Sequence, residues 1–161
     1  MAIASRLSDA WSGSPDVAGA VVSGTASGDW TLSCVRGQIR SVTFVFEDGT
    51  LVTPPLSDSI LPGITRDSVI TLAREAGLTV KEEPYTIDAW RADVREGRLT
   101  EAFACGTAAV ITPIGTVKGR EESFTIGNGK AGPVAQRLRS LLVDIQRGNS
   151  NDAHGWFQKI F

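Results

Sequence analysis

The stretch Pro54-Pro55-Leu56-Ser57-Asp58-Ser59-Ile60-Leu61-Pro62-Gly63-Ile64-Thr65-Arg66 constrains this chain more than any other. Its prolines and glycine exclude regular structure up to Gly63, and an amphipathic pattern begins directly afterwards. Val69, Ile70, Leu72, Ala73 and Ala76 fall on or near one helical face. Asp67 suits the positive end of the helix dipole, and Gly77 ends the pattern. A helix starting at Ile64 or Thr65 leaves backbone N–H groups there without intrahelical partners, and the dipole makes such donors a ready anion site. A second turn, Cys105-Gly106-Thr107-Ala108, offers Thr107 as a hydroxyl and N–H donor beside a glycine that permits close approach. For a single turn, ordinary capping is the commoner reading. Two donor-rich turns together point to a phosphorylated ligand.

The surrounding pattern is mixed. Val42-Thr43-Phe44-Val45-Phe46, the turn Glu47-Asp48-Gly49-Thr50 and Leu51-Val52-Thr53 predict a β-hairpin. Thr79-Val80-Lys81-Glu82-Glu83 alternates as an edge strand does, and a short helix carrying Ile87, Trp90 and Val94 follows Thr86 and stops at Gly97. A strand from Leu99 to Ala104 leads into the Cys105-Gly106-Thr107 turn, and a buried strand runs from Ala108 to Thr112. Shorter strands are expected at Thr116-Val117 and Ser123–Ile126, with a turn at Gly127-Asn128-Gly129. Pro133 suits the first position of a last helix, with Val134, Leu138, Leu141, Leu142 and Ile145 on its apolar face and Gly148 at its end. The expected class is therefore α+β. Residues 1–41, rich in Ser, Gly and Ala and without a sustained period, are expected to be a weakly structured segment, and residues 42–161 a folded domain.

At 161 residues, with 42% hydrophobic and 21% charged content, the chain suits one soluble globular domain. A net charge of -2 gives no electrostatic reason to expect nucleic acid or an anionic membrane surface as partner. No apolar run approaches membrane-spanning length, the first residues lack a signal-peptide core, and the cytoplasm is the expected compartment. Cys34 and Cys105 lie far apart and His154 is the only histidine, so neither a disulfide framework nor a metal site is implied. Cys105 reads as a small hydrophobe and His154 as an exposed tail residue. Glu82-Glu83 and Glu121-Glu122 read as solvated charge, Lys118 as an exposed hairpin lysine, and Arg137 and Arg139 as the wet side of the last helix. No catalytic triad, P-loop or dinucleotide fingerprint is present.

Taken in order, several motifs resemble the C-terminal portion of branched-chain amino acid aminotransferases, which are class IV, fold-type IV enzymes dependent on pyridoxal 5'-phosphate (PLP). They are Phe44-Val45-Phe46, Leu51-Val52-Thr53-Pro54-Pro55-Leu56, Ile60–Arg66, Gly97–Phe103, Cys105-Gly106-Thr107-Ala108, Ile145-Gln146-Arg147-Gly148 and His154-Gly155-Trp156. The resemblance covers roughly residues 42 to 156. It implies the C-terminal domain of the D-amino acid aminotransferase-like fold, a mixed sheet or pseudo-barrel with flanking helices. It further implies that Ile64, Thr65 and Thr107 hold the cofactor phosphate, and that Thr107 and Ala108 meet the substrate carboxylate. The implied partners are small amino acids and 2-oxo acids: leucine, isoleucine or valine with 2-oxoglutarate, in a homodimer. Mammalian mitochondrial relatives carry a redox-responsive cysteine pair where Ala109 and Thr112 stand here, so that regulation is expected to be absent.

This chain also departs from the family pattern. The family's Schiff-base lysine stands in a Lys-x-Gly-Gly-Asn-Tyr-like segment, which has no counterpart between Met1 and Val42. The four lysines, Lys81, Lys118, Lys130 and Lys159, match no catalytic position. The run Cys34–Arg40 holds no carboxylate where relatives place the glutamate that bonds the pyridine nitrogen. No catalytic residue is therefore assigned, and the chain alone is expected to be inactive. Alternatives are a non-catalytic remnant that complements or self-associates through uncovered apolar surface, or a relative of the D-amino acid aminotransferases or aminodeoxychorismate lyases. An aperiodic start followed by an abrupt onset of motifs also suits a frame change in the gene.

Overall fold

The computed structural model describes residues 24–29, 34–39, 42–57, 60, 62–107, 110–119 and 123–160, the first two ranges by their backbone alone. Strands β1 (Gly24–Asp29) and β2 (Cys34–Ile39) form an antiparallel hairpin in which Gly24 stands opposite Ile39. The weakly structured segment expected over 1–41 meets this hairpin, and residues 1–23 lie outside the described residues.

The main sheet holds five strands in the order β5-β4-β3-β6-β7. The predicted hairpin is its centre: β3 (Thr43–Phe46) and β4 (Thr50–Thr53) pair antiparallel with Phe44 opposite Val52. On the far side of β3 lies β6 (Leu99–Gly106), and β7 (Val110–Pro113) pairs with β6 in turn. Strand β5 (Thr79–Glu82) takes the edge position beside β4, and runs parallel to it. Parallel neighbours need a crossover, and helix α1 (Ile64–Glu75) supplies it. The β4–α1–β5 unit therefore carries the start of α1 just beyond the C-terminal end of β4, the position where helix N-termini meet ligands in βαβ units.

Alternation along the strands divides the core between the two sheet faces. On one face Val45, Leu51, Phe103 and Ile111 pack with Val69, Leu72 and Ala73 of α1. Ala135, Leu138, Leu142 and Ile145 of the last helix, α3 (Pro133–Gln146), complete that layer. On the other face Phe44, Val52, Leu99 and Ala102 meet Ile114, Val117, Ile126 and Trp90 of α2 (Ile87–Arg95). Trp90 stands edge-on to Phe44 at 4.9 Å between ring centroids and to Phe124 at 5.7 Å. Strands β8 (Thr116–Lys118) and β9 (Ser123–Thr125) form a small hairpin that closes this face. Each fully buried leucine or phenylalanine contributes roughly 1.5–3 kcal/mol by leaving water.

Helix starts are satisfied in different ways. Thr86 caps α2 by accepting the Ala89 N–H at 3.2 Å. At α3, Glu101 reaches across from β6, and its two carboxylate oxygens accept the Val134 and Ala135 N–H groups at 2.9 Å each. Gly132 is small because a Cβ there would come within 2.0 Å of the Glu101 carboxyl carbon. The start of α1 follows Gly63 and has no side-chain cap. Beyond α3 the chain turns back: Asp152 accepts the Phe157 and His154 N–H groups, and His154 stacks on Trp156 and reaches Glu75 at 2.9 Å. Among the described residues no helix is long and apolar enough to cross a membrane, and no metal-binding cluster occurs.

Candidate functional site

Three elements meet near the first turn of α1. The helix starts at Ile64, as its pattern predicts, because Gly63 holds extended backbone, with φ -79° and ψ 136°. Ile64 is 84% exposed, whereas Thr65 and Arg66 are buried. Exposure thus falls steeply within the first turn of α1. Of the three helices, α1 is the one at whose N-terminus no described side chain accepts.

Arg66 stands buried in the first turn of α1. Its Nη2 donates to the Pro54 carbonyl at 2.7 Å and to Glu82 Oε2 at 2.9 Å, while its Nε is sealed from solvent without a partner. Glu82 also accepts from Arg74 at 3.3 Å, so one carboxylate is shared by two guanidinium groups of α1. The Arg66 hydrogen bond, opposed by burial and aided by both positive charges, holds the Glu82 carboxyl below its usual range. Arg66 stands in the first turn of α1 beside Asp67, and Arg74 in the last, so Glu82 bridges the two ends of the helix.

Helix α1 packs on β6, which ends at the second donor-rich turn. The strand continues through Cys105 and Gly106, which were expected in the turn, because both pair with β7, opposite Ile111 and Val110. Thr107 is the turn residue and is exposed. Ala108 lies outside the described residues. Val110, where β7 begins, has φ 57°, a left-handed conformation that a β-branched residue adopts only under constraint. The thiol of Cys105 is pushed up to about 11 by burial, against a smaller opposing pull from the Arg66 charge. Cys105 is thus a poor nucleophile, as expected, and it marks the reach of Arg66 toward the end of β6.

Other sequence candidates stand away from this turn. Lys81, Lys118, Lys130 and Lys159 are exposed, and none lies in the first turn of α1 or the turn after β6. His154 pairs with Glu75 at the opposite end of α1. An open hollow of about 340 Å³ beside Phe46, Glu47, Asp48 and Arg98 sits at the other end of β4. Glu82, read from sequence as solvated charge, is corrected to an ion-pair partner of Arg66, and Glu121-Glu122 lie outside the described residues. The buried guanidinium of Arg66 carried no sequence signal beyond its place in the Ile60–Arg66 motif.

A crossover helix without a side-chain cap at its start carries a buried arginine in its first turn and packs on the strand that leads into Thr107. The chain belongs to the class IV amino-transferase family, whose model matches residues 31–117. That match begins within the segment that includes β2, upstream of Val42. Among individual proteins, it is similar to the branched-chain-amino-acid aminotransferase of Mycolicibacterium smegmatis, at 49% identity over 120 residues, covering 73% of this chain and 33% of that one. Among solved structures it resembles the Escherichia coli branched-chain amino acid aminotransferase, with a TM-score of 0.62 and 36% identity over 75% of this chain and 36% of that one. It matches equally well a branched-chain amino acid aminotransferase from a T.th. strain complexed with N-(5'-phosphopyridoxyl)-L-glutamate, with a TM-score of 0.62 and 34% identity over 75% and 37% of the two chains. The chain spans about a third of the length of the curated relatives it matches. Its fold is the α+β fold of the type IV aminotransferases.

Proposed function

We propose that this chain is the cofactor-phosphate portion of a PLP-dependent branched-chain amino acid aminotransferase. In this reading residues 42–161 are the functional unit, and the Ile64 and Thr65 N–H groups, with Thr107, hold the phosphate. The observation that carries it is the start of α1 without a side-chain cap, with Arg66 buried in the same turn. PLP, when bound, supplies an electron-withdrawing pyridine ring that stabilises the charge left when a substrate Cα–H bond breaks. The residues present here orient and anchor. The first-turn donors fix the phosphate, and so set where the ring lies relative to the end of β6. Thr107, together with Ala108, meets the substrate carboxylate through hydroxyl and backbone donors. The complete enzyme would then move the amino group of leucine, isoleucine or valine to 2-oxoglutarate, as a homodimer.

The four lysines, Lys81, Lys118, Lys130 and Lys159, match no Schiff-base position of the family, so in this reading none forms the covalent link to PLP or carries the proton on the substrate carbon. The chain alone is therefore a binding unit without turnover, and leucine-dependent glutamate formation by the purified protein would overturn that. Binding is tested through Ile64, which occupies the first helical position. Ile64→Pro deletes one N–H donor while fitting both the helix start and the extended Gly63 before it. The expected result is a weaker titration with pyridoxal 5'-phosphate, read by tryptophan fluorescence, with an unchanged melting temperature. Equal affinity for pyridoxal 5'-phosphate and unphosphorylated pyridoxal in the native chain would refute a phosphate cup.

A further inference from the structure

We propose that Arg66 is a positioning residue that ties the Pro54 carbonyl, where the chain leaves β4, to the first turn of α1 and so sets the aim of the phosphate donors; this rests on the reading of the α1 start as a phosphate cup. The residue sits three positions past Gly63, at the loop's end, yet its Nη2 bonds the carbonyl of Pro54, at the loop's beginning, at 2.7 Å. One side chain thus ties together two points twelve residues apart. The preceding carbonyl, of Thr53, is held by the Glu83 N–H at 3.0 Å, so two consecutive carbonyls leaving β4 are fixed, one to the chain beyond β5 and one to α1. Glu82 completes the tie by bridging Arg66 and Arg74 from the edge strand.

The energetic form of this arrangement favours positioning over general stabilisation. A guanidinium that is only 9% exposed, with an unbonded Nε and a shared, partly exposed counter-ion, is a costly way to fill space. An apolar side chain could fill the same space more cheaply, but it could not donate to the Pro54 carbonyl. Loop closure by a planar, charged donor fixes both distance and direction, and binding donors act best when their orientation is set before the ligand arrives.

The test uses the full chain and the variants Arg66→Met, Arg66→Lys and Glu82→Gln. Amide hydrogen exchange is followed at Leu56, Ser57, Ile60 and Gly63, with α3 amides as an internal reference. Arg66→Met is expected to speed exchange in the loop by about tenfold or more while leaving α3 unchanged, and to weaken pyridoxal 5'-phosphate binding by a similar factor. Glu82→Gln, which keeps the Pro54 bond, is expected to give a smaller effect on both. Unchanged loop exchange in Arg66→Met, or loosening of α3 to the same extent as the loop, would overturn the proposal. Should Arg66→Met fail to fold, Arg66→Lys decides by the same comparison, since the lysine side chain ends one bond short of the Nη2 that makes both contacts. If the native chain binds no pyridoxal 5'-phosphate, the phosphate-cup reading fails, while the exchange comparison still decides whether Arg66 closes the loop.

Discussion

Glu101 commits both oxygens of a buried carboxylate to the first turn of a helix more than thirty positions away in sequence. Charge-assisted bonds to otherwise orphaned N–H groups make its loss costly: Glu101→Ala is expected to lower stability by about 2–4 kcal/mol and Glu101→Gln by roughly half of that, read by urea denaturation. Gly132→Ala drives a methyl group into the same carboxylate and is expected to cost about 1–3 kcal/mol. Combined with Glu101→Ala it should cost less than the sum, because the clashing group is gone. At Cys105 a thiol pushed up to about 11 leaves little thiolate at pH 8. Its alkylation by iodoacetamide, followed on the Cys105 peptide by mass spectrometry, should run well below the rate of free cysteine. The inert thiol was legible in the chain as written, since no histidine neighbours it. The roles of Glu101 and Glu82 were not, because a carboxylate that answers a donor on another element leaves no spacing to read.

Elements whose signals are local behave as their residues predict. Thr86 and Gly97 bracket α2, Pro133 opens α3 and Gly77 follows α1, since capping and stopping depend on neighbours within one turn. Thr86→Ala should therefore cost about 1 kcal/mol, measured by chemical denaturation. Strand β5 shows where local reading ends: its alternation marks an edge, but its parallel pairing with β4 and its anchoring of α1 come from topology. That anchoring has a pH signature. Glu82 ionises more readily in the folded chain than its ordinary value of 4.5, chiefly because Arg66 donates to it, with burial opposing. A carboxyl depressed on folding contributes stability above its unfolded value, and this contribution is lost as pH falls through the folded value. Stability should thus decline below about pH 4.5 partly through this group. The native chain and Glu82→Gln, compared by urea melts between about pH 3 and 6, should converge at the acid end and diverge above it.

At the scale of the molecule, one five-stranded sheet carries two separate apolar clusters. Phe44 and Val45 are adjacent in sequence yet belong to opposite layers, so neither layer can melt without exposing the strand that carries the other. The candidate site depends on the first layer, through α1 and the end of β6, whereas Trp90 reports from the second. Shared strands predict a single cooperative transition over the described fold. Leu138→Ala, in α3 on one face, should cost about 2–5 kcal/mol, and Ile126→Ala on the other a similar amount. Each should shift the Trp90 fluorescence transition and the far-ultraviolet helix signal together, with Trp11, Trp30 and Trp156 replaced by phenylalanine to isolate Trp90. Because the two side chains lie in separate layers, their costs should add to within about 0.5 kcal/mol in the double variant. Two separated transitions, with Leu138→Ala moving only the helix signal, would mean that the layers fold independently. The phosphate cup would then be carried by the α1–α3 layer alone, and pyridoxal 5'-phosphate binding should survive Ile126→Ala at temperatures where the Trp90 layer has melted.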